Sequence, residues 1–203
     1  MIQLQNLHLK YDTDKGTAHS YIDTYDKLFA KFQKQPINFL EIGALTCGSL
    51  KMFHEYFTQA IIWGVDDWSQ KTNHYGQDLN QLNIDQSKII EDVTDNYTRI
   101  KLVTCNSLNK QQVAKEFQNT QFQIIIDDGD HNHFSQLTTF SNFYPFWDSN
   151  GVYIIEDVNE PNLLIQGLEY YKTINSLSYQ WKVYEFYKDG RGDDILIQIG
   201  LDV

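Results

Sequence analysis

Five short β-rich runs, each with a polar residue at or beside its end and separated by helical patterns, limit the possible folds more than any other feature of this chain. The runs are INFLEIG (37–43), AIIWGVDD (60–67), TRIKLVTC (98–105), FQIIIDD (122–128) and GVYIIED (151–157). Helical periodicity occupies 48–57, 76–91, 108–118, 134–147 and 160–176 between and after them. Alternation at this spacing predicts βαβ units and a mostly parallel sheet covered on both faces. Two final runs, YQWKVYEFY and DDILIQIG, are joined by KDGRG, which is hairpin chemistry rather than a crossover. The expectation is an α/β three-layer sandwich whose seven-stranded sheet is closed by a C-terminal antiparallel hairpin. Within 17–35, Ile22, Tyr25, Leu28, Phe29 and Phe32 form a helical stripe. The expected layout is one domain over 1–203, with 1–36 a helical cap and 37–203 the core.

Composition narrows the function classes. At 203 residues, 41% hydrophobic and 14% aromatic, the chain can bury one sizeable core. Sixteen Lys and Arg against 27 Asp and Glu give a net charge of −11, which repels phosphate backbones and anionic lipids. Neither nucleic acid nor a membrane span is expected, because no apolar stretch reaches spanning length. The opening MIQLQNLHLKYDTDK lacks a basic region followed by an apolar one, and Cys47 and Cys105 form no disulfide framework. A cytoplasmic setting is expected. A homo-oligomer is compatible with the sequence, with the hairpin or the N-terminal helix as its face.

Ligands of open α/β sheets gather at the carboxyl ends of the parallel strands. Those ends here carry Glu41, Asp66 with Asp67, Asn106, Asp127 with Asp128, and Glu156 with Asp157. After the first strand, Gly43, Gly48 and Ser49 form a turn into a helix, where backbone can approach a ligand and free N–H groups are available. A plain structural turn is the competing explanation. Asp66 is placed to accept from ribose hydroxyls, or else to cap the next segment, and Asn106 to contact an adenine or to make a turn. Asp128, Glu156 and Asp157 fall at the tips of neighbouring strands about 4.8 Å apart. Three carboxylates at one sheet edge suit a hard cation, Mg²⁺ or else Mn²⁺ or Ca²⁺, although two helix caps would also use acids there. His131, three residues past Asp128, is suited to general-base work near neutral pH. The roles of Asp130 and His133 stay open.

The parallel sheet closed by a hairpin is the Rossmann-like layout of class I methyltransferases. LEIGALTCGSL, IIWGVD, IIIDDGDH and GVYIIEDV, with YDTDKGTAHSYIDTYDKLF upstream, resemble the metal-dependent sugar O-methyltransferases of the macrocin and mycinamicin type and the cephalosporin hydroxylase group. This resemblance spans roughly 11–157. It implies S-adenosyl-L-methionine as methyl donor, with Gly43 and Asp66 in its binding motifs, and Glu41, Gly48, Ser49, Asn106 and Asp127 around them. It implies Asp128, Glu156 and Asp157 as metal ligands, and His131 with Asp128 as the catalytic pair. Lys15 and His19 fall in an N-terminal segment near cofactor or acceptor. Two positions depart from the family pattern: Cys47 stands where Gly is usual, and Asp130 where Ser is usual. The implied reaction is O-methylation of a sugar hydroxyl on a glycosylated natural product, a nucleotide sugar or a surface polysaccharide. The alternatives are a metal-dependent hydrolase built on the same acids and a non-catalytic cofactor-binding module.

Overall fold

The computed structural model describes residues 2–69, 78, 85–187 and 190–200. Its strands are β1 Asn38–Ile42, β2 Ile61–Asp66, β3 Ile100–Thr104, β4 Phe122–Asp127, β5 Trp147–Ile155, β6 Trp181–Glu185 and β7 Ile195–Gly200. They form one sheet in the order β3-β2-β1-β4-β5-β7-β6. The first five run parallel, while β7 pairs antiparallel with both β5 and β6. The expected parallel sheet with its closing hairpin is the observed one.

The helices are α1 Leu4–Leu7, α2 Ile22–Phe29, α3 Gly48–Tyr56, α4 Gln86–Asn96, α5 Lys110–Phe117, α6 His133–Phe143 and α7 Pro161–Ile174. Successive side chains of a strand point to opposite faces, and β4 shows the result. Ile124 and Ile126 pack with Tyr25, Phe29, Phe53 and Val93 on one side, whereas Ile125 packs with Phe117, Phe140 and Leu164 on the other. Helices α2, α3 and α4 thus cover one face and α5, α6 and α7 the other. Strand order reverses between β1 and β4, so the loops leaving these strands part to opposite faces and open a crevice between them.

Three elements differ from expectation. The helix expected over 17–35 begins only at Ile22, since residues before it form a loop held by Tyr21 N–H to the Lys15 carbonyl and His19 N–H to the Asp14 carbonyl. The helix expected over 134–147 ends at Phe143. A short 3₁₀ turn containing Pro145 follows, and Trp147 already belongs to β5. Of the helix expected over 76–91, residues 76–77 and 79–84 lie outside the described residues; α4 begins after Asp85, whose carboxylate accepts from Ser87 N–H.

Candidate active site

The crevice is lined by strand tips, and the turn after β1 shapes its wall. Gly43 has φ +92, and a Cβ there would lie 2.0 Å from the Asp128 carbonyl oxygen. A Cβ on Gly48 would lie 1.6 Å from the Asp12 carbonyl oxygen. Both glycines are therefore required by close approach of protein backbone, which the ligand-based expectation had not included. Cys47 stands at the N-cap position of α3 at φ 61 with its side chain buried, so a left-handed position that favours glycine is filled here at some strain.

The β4 and β5 tips lie side by side, Asp127 level with Ile155. Lys15, only 1% exposed, places its Nζ 2.7 Å from Asp128 Oδ2, 2.6 Å from Glu156 Oε2 and 3.2 Å from Glu41 Oε1. The Tyr25 hydroxyl donates to Glu156 Oε1. Glu156, expected beside Asp128 as a ligand, thus has both oxygens engaged, because a buried acid needs donors and Lys15 and Tyr25 supply them. Tyr21 donates from its hydroxyl to Asp157 Oδ1 at 2.6 Å. His19 Nδ1 stands 3.3 Å from the same oxygen and 3.5 Å from Asp194 Oδ1. His131 bridges the opening, with Nε2 3.5 Å from Asp128 Oδ1 and Nδ1 3.7 Å from Asp157 Oδ2.

Charge in this corner is unbalanced. Burial opposes protonation of Lys15, but Asp128, Glu156 and Glu41 outweigh it and raise its pKa well above the ordinary value. Burial likewise opposes the ionised Asp128, yet Lys15 and His131 hold it below the usual carboxylate range. Glu156 is raised by burial and by Asp128 and Asp157 despite Lys15, and Asp157 is pushed up to about 6 by burial and then by Asp128. His131, disfavoured as a cation by burial, is nevertheless pushed up to about 9 by its hydrogen bond to Asp128 and by the charges of Asp128 and Asp157. One lysine does not keep these acids ionised together. Atoms of Asp128, His131 and Asp157 lie within 4.8 Å of one another, and this set of carboxylate oxygens and an imidazole nitrogen fits a divalent cation, which would relieve the repulsion.

The cleft over these residues has a volume of about 920 Å³, a size that holds small-molecule ligands. Lys15, His19, Gly43, Gly48, Ser49, Asp66, Asn106, Asp128, His131 and Asp157 all line it. Glu41 and Asp127 do not, contrary to their expected cofactor contact: both are buried behind the wall, Glu41 accepting from Ser49 Oγ and Asp127 from Gly129 N–H. Asp66 Oδ2 accepts from Leu45 N–H at 2.9 Å and Oδ1 from Trp68 N–H at 2.7 Å, so it also staples the loop after β1. Asn106 Oδ1 accepts from Leu108 N–H, making the turn that was its alternative reading. Asp130 ties down the start of α6 through Asn132 and Ser135, and His133, which does not line the cleft, pairs with Glu160, which does.

Sequence reasoning missed Tyr21 and counted Tyr25 only as part of an apolar stripe. Their signal was available: buried tyrosines need partners for their hydroxyls, and these two sit one turn apart, just after Lys15 and His19. It also took KDGRG only as a turn, although Arg191 lines the cleft with its guanidinium forked onto Asp193.

A solved structure of the MycE methyltransferase from the mycinamycin biosynthetic pathway, in complex with Mg, SAH and mycinamycin VI, superposes with a TM-score of 0.70 at 20% identity, covering 98% of this chain and 54% of that one. The fold is that of the class I methyltransferases. Among curated proteins, this class I methyltransferase-fold chain is 28% identical over 164 residues to 8-demethyl-8-alpha-L-rhamnosyl tetracenomycin-C 2'-O-methyltransferase of Streptomyces olivaceus, a match covering 76% of this chain and 37% of the relative. It is 30% identical over 164 residues to L-olivosyl-oleandolide 3-O-methyltransferase of Streptomyces antibioticus, covering 76% of this chain and 36% of the relative. Its curated relatives are thus sugar O-methyltransferases, and the chain spans little more than a third of their length. No protein-family model matches the chain. Among the described residues, no helix is long and apolar enough to cross a membrane.

Proposed function

We propose that this chain is a divalent-metal-dependent O-methyltransferase that uses S-adenosyl-L-methionine on a sugar hydroxyl. The observation that carries the reading is the convergence of Asp128, His131 and Asp157 at the floor of a cleft whose other wall is the Gly43 turn. The activities of the relatives support the same reaction class. The methyl donor, when bound, supplies an electrophilic methyl group, and the cation supplies a Lewis acid that lowers the pKa of an alcohol. Asp128 and Asp157 are the residues that would hold that cation, with Glu156 fixed next to them by Lys15. With Asp128 and Asp157 holding a cation, the charges that keep His131 protonated would be offset, and its neutral imidazole would then take the acceptor proton, with Asp128 beside the imidazolium that results. The Gly43 turn, Asp66 and Asn106 face the part of the cleft assigned to the donor. Two walls that fix donor and acceptor at one depth reduce the entropy cost of bringing them together. We assign the acceptor to the glycoside class: a glycosylated natural product, a nucleotide sugar or a surface glycan. The two buried free cysteines suit a reducing cytoplasm.

The test is methyl transfer from labelled donor to a panel of rhamnosides and other glycosides with vicinal hydroxyls, in Mg²⁺ and in excess chelator. Labelled methyl ether that disappears on chelation supports the reading. No donor binding by calorimetry and no labelled product on any glycoside would overturn it.

A further inference from the structure

Asp157 stands directly after β5 in the left-handed region, at φ 51, a conformation that costs energy for a residue with a Cβ. The Tyr21 hydroxyl compensates in two ways. It donates to Asp157 Oδ1 at 2.6 Å and accepts from the Asp157 N–H at 3.3 Å. Its other acceptor, the Asp193 carbonyl, is 3.4 Å away, so its single proton goes to the nearer carboxylate. With Oδ1 taken, Oδ2 is the oxygen turned to His131, 3.7 Å from Nδ1. Tyr21 itself is fully buried, stacked on His19 and tilted against Tyr25 and Phe186, so its ring has no freedom to swing away. The neighbouring acid shows the contrast: both oxygens of Glu156 are taken, by Lys15 and Tyr25, whereas Asp157 keeps one oxygen for the cleft.

We infer that Tyr21 is a positioning residue for Asp157: by occupying Oδ1 and bracing the strained backbone, it presents Oδ2 to a divalent cation. This inference rests on the proposed metal-dependent reaction. Loss of a partner that orients a ligating carboxylate costs about 10–100-fold in metal affinity. The experiment is a Mn²⁺ titration followed by electron paramagnetic resonance on the wild type, Tyr21→Phe, Asp157→Asn and the double variant, with donor affinity measured by calorimetry in parallel. Tyr21→Phe keeps the ring and should weaken Mn²⁺ binding at least about tenfold while donor affinity holds. In the Asp157→Asn background, Tyr21→Phe should have no further effect, a non-additivity that general destabilisation does not produce. For a variant too unstable to titrate, the Mn²⁺-dependent rise in Tm gives the same comparison. Wild-type Mn²⁺ affinity in Tyr21→Phe, or additive losses in the double variant, would overturn the inference and leave the proposed function standing. No Mn²⁺ binding by the wild type, or binding unaffected by Asp157→Asn, would overturn the metal reading and this inference together.

Discussion

His131 sits between Asp128 and Asp157 with about a third of its side chain exposed, so it can meet a ligand while its ring is held from behind. Replacing it by Ala should lower methyl transfer by about 10²–10⁴-fold, while calorimetry finds donor affinity unchanged, because His131 lies at the acid corner rather than in the Gly43 turn. Asp127, one residue before Asp128, faces the interior, and burial pushes its carboxyl up to about 8, against about 3.9 when unfolded. The sign follows from which state ionises first. Between about pH 4 and pH 8 the unfolded chain has released this proton and the folded chain has not, so native stability from this group is full at the acid end and is lost as pH rises. Asp127→Asn should flatten that slope in thermal melts of the chelated protein. Of the individual side chains, those at strand ends were legible in sequence, because position after a β-run marks the rim of the sheet. Lys15 entered only through the family resemblance, without its carboxylate partners, and Tyr21 was not legible. Their partners lie 113 and 136 residues away, and no local periodicity reports such distances.

The turn after β1 and the N-terminal segment are the elements that decide whether the corner closes. Gly43→Ala would press a Cβ into the backbone after β4 and require a residue with a Cβ to adopt positive φ. Its midpoint in urea should fall by the equivalent of about 2 kcal/mol or more, as expected for overpacking combined with backbone strain. Lys15→Met keeps the length of the side chain and removes the charge shared by Glu41, Asp128 and Glu156. Breaking a buried ion pair from one side costs about 3–5 kcal/mol, so this variant should melt early, and added Mg²⁺ should restore part of the loss in a thermal-shift measurement. The strands were legible as short apolar runs and most helices by their 3.6-residue periodicity. The N-terminal helix was placed too early, because Lys15, His19 and Tyr21 satisfy tertiary partners that its apolar stripe does not reveal.

For the whole molecule, the parallel sheet and its closing hairpin were legible in the alternation of strands and helices, whereas the strand order that opens the crevice between β1 and β4 was not. The depth of the cleft was not legible, since Asp12, Thr13, Asp14, Lys15 and His19, which supply part of its lining, carry no helical or strand periodicity. A protein with this many converging acids and a charge of −11 should respond to divalent cations as a unit. A cation at about 100 times its Kd should raise stability by about 2.7 kcal/mol, read as a higher Tm in Mg²⁺ than in chelator. The response should be lost in Asp128→Ala.

The lysine held among Glu41, Asp128 and Glu156 also bears on how the chain assembles. It joins residues 141 positions apart, so the Lys15 ammonium meets Glu156 only once β5 has taken its place in the sheet. Contacts of such separation form late and slow folding. Until then the carboxylates of Glu41 and Asp128 lack the full set of partners that fixes the shared ammonium between them, and the corner is the last part of the cleft to be completed.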